Sequence, residues 1–220
     1  MSYLRTVAGI LLFSSLTLGL GSASAQSSKD KQDPKDQKDQ AVYLVARDPI
    51  TDPFFHESVV LMLPPLPENP LVTGLIINKP ARVPLSEIFP DDPALKNKSQ
   101  IAFFGGPVDT ESPGVVFRSK KAAKRATLLF GDVYVSFDRA FIKGLLEKPE
   151  PGQDLRLFLG RAQWAPDQLQ DEVLGGAWDN VRAEGSLIFG ADQGYLWHTL
   201  SERAEPAPLA KLADRPFAVL

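Results

Sequence analysis

The sequence contains no cysteine at any of its 220 positions. No disulfide can therefore stabilise the fold, and no thiolate is available as a nucleophile or as a zinc ligand. A folded domain of this composition must be held together by side-chain packing. Hydrophobic residues make up 44% of the chain, which is sufficient for one globular core of ordinary size.

Histidine is nearly absent as well, because only His56 and His198 occur. A metal site of nitrogen and sulfur ligands needs several such residues at fixed spacing, so we predict no metal and no other cofactor. His56 lies four residues after Asp52 and next to Glu57. This arrangement fits an acid/base dyad or half of a metal site, and it also fits a simple turn hydrogen bond at the edge of a strand. His198 is expected to face solvent.

The sequence also lacks the excess of positive charge that is typical of nucleic-acid-binding proteins. It has 24 Lys and Arg against 27 Asp and Glu, a net charge of −3. The one basic cluster, in residues 119–126, is short and predicts a solvated loop. We therefore expect no nucleic-acid partner. The motifs of phosphate-binding loops and of serine hydrolases of the α/β class are missing too.

No hydrophobic run reaches the ~20 residues that a membrane-spanning helix needs. The longest run, residues 7–20, follows one basic residue and precedes the small residues Ala23-Ser24-Ala25. This layout predicts a secretory signal peptide over residues 1–25, with an uncleaved N-terminal anchor as the alternative. The polar and charged residues 26–40 predict a disordered linker. Residues 41–220 are expected to form a single domain, without a stable membrane span once the signal peptide has been removed.

Short apolar runs separated by turn residues dominate this domain, and predicted strands outnumber predicted helices. We predict strands at residues 42–46, 58–63, 72–78, 101–108, 114–119, 132–137, 155–160 and 185–190, with the run 114–119 pairing back onto 101–108 as a hairpin. Helices are predicted at residues 138–148, 166–174 and 194–203, with a short helical turn at 84–89. Several strands are adjacent without a helix between them, which favours an α+β fold.

The segment "LGRAQWAPDQLQDEVLGGAW" predicts a well-capped helix between two tryptophans. Pro166 suits the first helical turn, and Gly175-Gly176 can end the helix in a left-handed conformation. Leu169, Val173 and Leu174 have the spacing of a core-facing stripe. Trp164 and Trp178 are expected to be chiefly structural. Gln168 has no obvious structural role and is the member of this segment most suited to a binding surface.

The order of "DPFFHESVVLM", "GLIINKP", "FFGGPV", "LGRAQWAPDQLQDEVLGGAW", "SLIF" and "LWHTL" resembles the AlgH/YqgE family of bacterial proteins. The resemblance covers residues 43–200. It implies a mixed or antiparallel sheet that curls towards a pseudo-barrel, with flanking helices. It implies no established activity, although one branch was named for a proposed role in regulating alginate synthesis. The chain departs from the family pattern at several positions, Arg161 and Gln163 among them.

These observations favour a non-enzymatic binding or regulatory module of the cell envelope, periplasmic in a Gram-negative host, with an unknown protein or small ligand as its partner. The candidate binding residues are Asp52, His56, Asn78, Gly105, Gly106, Trp164 and Gln168. Two alternatives remain. One is a hydrolase-like enzyme that uses Asp52, His56 and Glu57, and the other is the transcriptional regulator proposed for one branch of the family.

The signal-peptide pattern leads to a prediction about the mature chain. We expect the protein purified from its native host to begin at Gln26, because small residues flank the bond after Ala25. N-terminal sequencing measures this directly. Soluble native protein that still carries Met1 would show that the segment is not a cleaved signal peptide.

Overall fold

The computed structural model of the protein describes residues 41–48, 50–65, 69–98, 100–190 and 192–203. The predicted signal peptide and linker, residues 1–40, lie outside the described residues, as do residues 204–220.

The described residues form nine strands and five helices. The strands are β1 (Val42–Ala46), β2 (Val59–Met62), β3 (Val72–Ile76), β4 (Ala102–Phe104), β5 (Val108–Arg118), β6 (Thr127–Phe130), β7 (Val133–Ser136), β8 (Leu155–Trp164) and β9 (Trp178–Arg182). The helices are α1 (Leu85–Ile88), α2 (Arg139–Glu147), α3 (Pro166–Leu174), α4 (Gly185–Phe189) and α5 (Leu196–Ser201). None of these helices is long and apolar enough to cross a bilayer.

All nine strands belong to one sheet in the order β6-β7-β5-β8-β3-β2-β1-β9, and β4 pairs separately with β8. Every pairing is antiparallel except that between β4 and β8. The sheet curls into a half-barrel with the short helices packed on it. The predicted α+β fold with a curled, mixed sheet is therefore confirmed.

Strand β8 joins the two halves of the sheet. Its first half pairs with β4 and β5, and its second half pairs with β3. The change of partner occurs at Gly160, which has a φ of 72°. A Cβ atom there would lie 2.3 Å from the carbonyl oxygen of Gly106, and a Cβ on Gly106 would lie 2.2 Å from the carbonyl carbon of Arg161. The glycines let two backbones approach more closely than side chains would allow.

The predicted hairpin between residues 101–108 and 114–119 is wrong. Strand β4 pairs in parallel with β8, as in the pair Phe103 and Phe158, while β5 pairs with β7 and with the opposite edge of β8. Thus β8 lies between the two strands that sequence proximity suggested as partners. The glycine-rich turn after β4 allows the backbone at Gly105 and Gly106 to pack directly on the backbone of β8.

Three further differences concern element type and burial. Residues 185–189 form helix α4 instead of a strand, because a short apolar run cannot distinguish the two and the packing of Ile188 decides. Strands β6 and β9 had no counterpart in the predicted elements. Leu174 is 49% exposed, whereas Leu169 and Val173 on the same helix are buried as expected.

The core consists of three clusters on the two faces of the sheet. One contains Tyr43, Leu75 and Phe158 and packs against α4 and α5. A second contains Phe117 and Leu157 and packs against α1 and α2. The third lies under α3 and includes both tryptophans of the capped-helix segment. Helix α2 begins at the predicted cap, because the Asp138 side chain accepts a hydrogen bond from the Phe141 N–H.

The glycine crossing predicts unequal effects of two alanine substitutions at matched backbone angles. Gly152 and Gly160 have φ values of 73° and 72°, so alanine carries a similar left-handed penalty of ~1–2 kcal/mol at each. No atom lies within 4 Å of a Cβ at Gly152, whereas a Cβ at Gly160 meets the backbone of Gly106 at 2.3 Å. We expect Gly160→Ala to lower the free energy of unfolding by at least ~2 kcal/mol more than Gly152→Ala.

Urea unfolding of both variants measures the difference. Equal losses would show that the close approach of the two backbones does not constrain this fold.

Candidate functional site

The loop between β1 and β2 folds into a tight turn that is organised by Asp52. The carboxylate Oδ1 of Asp52 accepts hydrogen bonds from the N–H groups of Phe54 (2.8 Å) and Phe55 (3.2 Å). The backbone carbonyl of Asp52 accepts from the N–H of His56 at 2.8 Å. Aspartate before proline favours such a turn because its side chain satisfies the N–H groups that follow. The carboxylate of Asp52 is thus engaged in holding the turn.

Asn78 fastens this turn to the end of β3. Its side chain is buried, accepts from the Val59 N–H at 2.9 Å and donates to the Glu57 carbonyl at 2.9 Å. Glu57 has a φ of 52°, a left-handed conformation that is costly outside glycine. The two hydrogen bonds of the Asn78 side-chain amide hold Glu57 in this conformation, so Asn78 has a positioning role.

Lys79 supports the turn from the neighbouring position. Its Nζ donates to the carbonyl of Phe54 at 2.9 Å and to that of Pro53 at 3.4 Å. Burial lowers the pKa of Lys79, and the negative charges of Asp52 and Glu57 oppose this shift. The ammonium group therefore neutralises an otherwise acidic turn.

An open cavity of about 390 Å³ lies between this turn and helix α5. Both histidines of the chain line it, together with Glu57, Lys79 and Trp197. Trp197 anchors α5 on the sheet, because its indole Nε1 donates to the carbonyl of Ala46 at 2.7 Å. The rings of Trp197 and His198 pack edge to face, with centroids 5.0 Å apart. We refer to this cavity as the two-histidine cavity.

The chemistry of the cavity is limited. Both imidazoles are exposed, and neither forms a side-chain hydrogen bond with any residue that the structure describes. No group of three or more His, Asp or Glu side chains within the described ranges could hold a metal ion. Covalent catalysis needs a nucleophile with an adjacent base. The carboxylate of Asp52, one member of the predicted dyad, instead accepts hydrogen bonds from backbone N–H groups of its own turn.

The aromatic residues next to the turn form a separate, buried group. Phe55 packs on Trp164 and on Trp178, with ring centroids at 5.4 and 5.8 Å, and the two indoles meet edge to face at 6.0 Å. Each tryptophan is only 2% exposed. Trp164 therefore lies in the core, and it holds the turn that carries His56 through Phe55.

Glu172 explains the polar residues of the capped-helix segment. Its Oε2 accepts from the indole N–H groups of Trp164 (3.1 Å) and Trp178 (2.9 Å), and its Oε1 accepts from the amide of Gln168 (2.9 Å). The exposed Gln168 thus orients the carboxylate that satisfies both buried indoles. Gln168 and Trp164 lie apart from the residues that line the two-histidine cavity.

The candidate residues therefore separate into three groups. His56 and Asn78 line the cavity, and Asp52 holds the turn that carries His56. Gly105 and Gly106 pack on the backbone of β8, and Trp164 and Gln168 are linked through Glu172. Six residues that line the cavity were not among the sequence-based candidates, namely Thr51, Pro53, Lys79, Gly194, Trp197 and His198. The motif "LWHTL" lies in the predicted helix that carries Trp197 and His198, but no local pattern in the sequence indicates which loop that helix faces.

Comparison with known proteins gives consistent matches over the described domain. A family model described as AlgH-like matches residues 43–208. A UPF0301 protein of Streptomyces coelicolor is 32% identical over 178 residues, covering 79% of this chain and 91% of the relative. A UPF0301 protein of Anaeromyxobacter sp. strain K is 30% identical over 171 residues, covering 73% of this chain and 85% of the relative.

Solved structures share the fold. The solution structure of the AlgH protein of Pseudomonas aeruginosa superposes with a TM-score of 0.60 at 22% identity, covering 84% of this chain and 97% of that protein. A crystal structure of a protein from Corynebacterium diphtheriae also gives a TM-score of 0.60 at 22% identity, covering 80% of this chain and 92% of that protein.

The Glu172 bonds generate a stability prediction. Glu172→Ala removes the acceptor from two buried indole N–H groups, so we expect it to lower the free energy of unfolding by ~2–3 kcal/mol. Gln168→Ala removes one exposed i, i+4 contact and should cost ~0.2–0.5 kcal/mol. Asp171→Ala, an exposed position on the same helix, is the control and should change stability by less than ~0.5 kcal/mol. Chemical denaturation followed by tryptophan fluorescence measures all three. A Glu172→Ala variant as stable as the Asp171→Ala control would contradict the assigned role.

Proposed function

The chain belongs to the AlgH-like family, and from this premise we propose that it is a non-enzymatic binding or regulatory module that is exported to the cell envelope. Its partner, a protein segment or a small ligand, binds at the two-histidine cavity. The signal-peptide pattern of residues 1–25 supports export, and with it a periplasmic location in a Gram-negative host.

One observation carries the proposal. The two histidines of the chain, far apart in sequence, line the same cavity with Glu57 and Trp197, while the polar groups beneath them are engaged in holding the backbone. Imidazoles that form no side-chain hydrogen bond with the described residues are available donors and acceptors for a ligand. An aromatic wall with a few converging polar groups is typical of a binding site.

The hydrolase-like alternative requires Asp52, His56 and Glu57 to act together. The Asp52 carboxylate accepts two backbone N–H groups within its own turn, and this use favours a binding role over a catalytic one. The alternative of a transcriptional regulator requires contact with DNA. An acidic chain with an export pattern supports it less well than it supports an envelope protein.

Because the chain contains only two histidines, NMR of the imidazole side chains tests the proposal for a ligand of any chemical class. We expect fractions of an envelope extract to shift the signals of both His56 and His198, because both rings line one cavity. The indole signals of Trp164 and Trp178 should remain in place, because both side chains are buried in the core.

The fraction that shifts the imidazole signals is then passed over immobilised protein. The double variant His56→Ala and His198→Ala should no longer retain the molecule responsible, whereas the control variant Lys120→Ala and Lys121→Ala should still retain it. Equal retention by the histidine variant would contradict the proposal. Conversion of the bound molecule into a product by the wild-type protein would favour the hydrolase-like alternative.

A further inference from the structure

A second cavity of about 430 Å³ adjoins the two-histidine cavity, and Gly194 lines both. It is lined by Pro80, Ile101, Phe103, Arg156 and Gln193, and also by Gln100 and Asp192. The carboxylate Oδ1 of Asp192 accepts a hydrogen bond from the Tyr195 N–H at 3.3 Å. Ile101 is 53% exposed, so its aliphatic side chain is accessible to a molecule in this cavity.

Arg156 is the first of two incompletely satisfied groups in this wall. Its guanidinium group stacks on the Phe103 ring at 4.8 Å, and its Nη2 donates to the carbonyls of Phe189 (3.3 Å) and Gly190 (2.6 Å). These contacts fix the plane of the group while leaving Nε and Nη1 without an acceptor among the described residues.

The ionic surroundings of Arg156 differ from those of several other arginines. Arg118 and Arg125 each form an ion pair with an aspartate, whereas no carboxylate of the described residues pairs with Arg156. Partial burial lowers the pKa of Arg156, and Asp154 opposes this shift. A half-buried, pre-oriented cation without a carboxylate partner is suited to an anionic group from outside.

Gln193 is the second group. It is 5% exposed, and its Nε2 donates to the carbonyls of Leu187, Ile188 and Gly190. Because three acceptors surround Nε2, the orientation of the amide is fixed and the oxygen Oε1 is an acceptor. This oxygen is buried and has no donor within the part of the chain that the structure describes. Buried polar groups are normally paired, so this acceptor favours a ligand that carries an N–H donor.

We propose that this second cavity binds a terminal carboxylate with a neighbouring N–H donor and an apolar side chain, as found in an N-acylated apolar amino acid or at the C-terminus of a peptide. The carboxylate binds Arg156, the N–H group lies towards Gln193, and the apolar side chain packs on Ile101 and Phe103. This site is additional to the two-histidine cavity and does not depend on binding there.

Titration with N-acetyl-leucine, followed by NMR of the labelled full chain, tests the proposal. We expect saturable binding that shifts signals of Ile101 and the Arg156 side chain. N-acetyl-leucinamide, which lacks the carboxylate, and N-acetylglycine, which lacks the apolar side chain, should each bind at least about tenfold more weakly. A tetrapeptide ending in leucine distinguishes the source. Affinity more than about tenfold above that of N-acetyl-leucine assigns the site to peptide termini, and similar affinity assigns it to free acids.

Two variants make the test independent of folding. Arg156→Lys keeps the charge but loses the planar donor group, and it should weaken binding of N-acetyl-leucine about tenfold. Ile101→Ser changes an exposed side chain with little effect on the core and should weaken binding about fivefold, whereas Leu174→Ser, at an equally exposed leucine on α3, should bind like the wild type.

Equal binding of the acid and its amide, wild-type affinity in both Arg156→Lys and Ile101→Ser, or no saturable binding of any acid probe would overturn the proposal. The imidazole signals of His56 and His198 report the neighbouring cavity separately, so a failure at one site can be distinguished from a failure at the other.

Discussion

The approach of two backbones at Gly106 and Gly160 is the constraint on which the rest of the structure depends. It allows β8 to pair with β4 and β5 along one half and with β3 along the other. Two hydrogen bonds complete the contact, since the Gly105 N–H donates to Leu159 at 2.7 Å and the Gly105 carbonyl accepts from Ile76 at 2.9 Å. As a result the end of β3, which carries Asn78 and Lys79, lies beside β4. Both cavities are built around this junction.

The polar residues of the site differ in whether their side chains bind the backbone. Asp52, Asn78 and Lys79 direct their side chains to backbone groups and hold a turn that contains a left-handed residue. The imidazoles of His56 and His198 form no hydrogen bond with a backbone group of the described residues. The groups that fix the backbone are therefore distinct from the two imidazoles, and this separation supports the proposed binding role.

Glu172 has a comparable role on the other side of the same turn. A partly buried carboxylate that accepts from two indole N–H groups satisfies polar atoms that would otherwise be unpaired in the core. Phe55 packs against the same tryptophans. The position of the His56 turn is thus linked to the packing of α3 through Phe55 and the two tryptophans.

The sequence by itself determined the features that depend on neighbouring residues. The cap at Asp138, the proline that begins α3 and the left-handed Gly176 that follows it are local, and the structure confirms them. Only the tertiary structure decided that β8 lies between β4 and β5, that residues 185–189 are helical, and that His56 and His198 share a cavity. Capping and periodicity act within a few residues. Strand partners and the facing of helices are chosen by the burial of surfaces that are distant in sequence, and no short stretch of the chain carries that information.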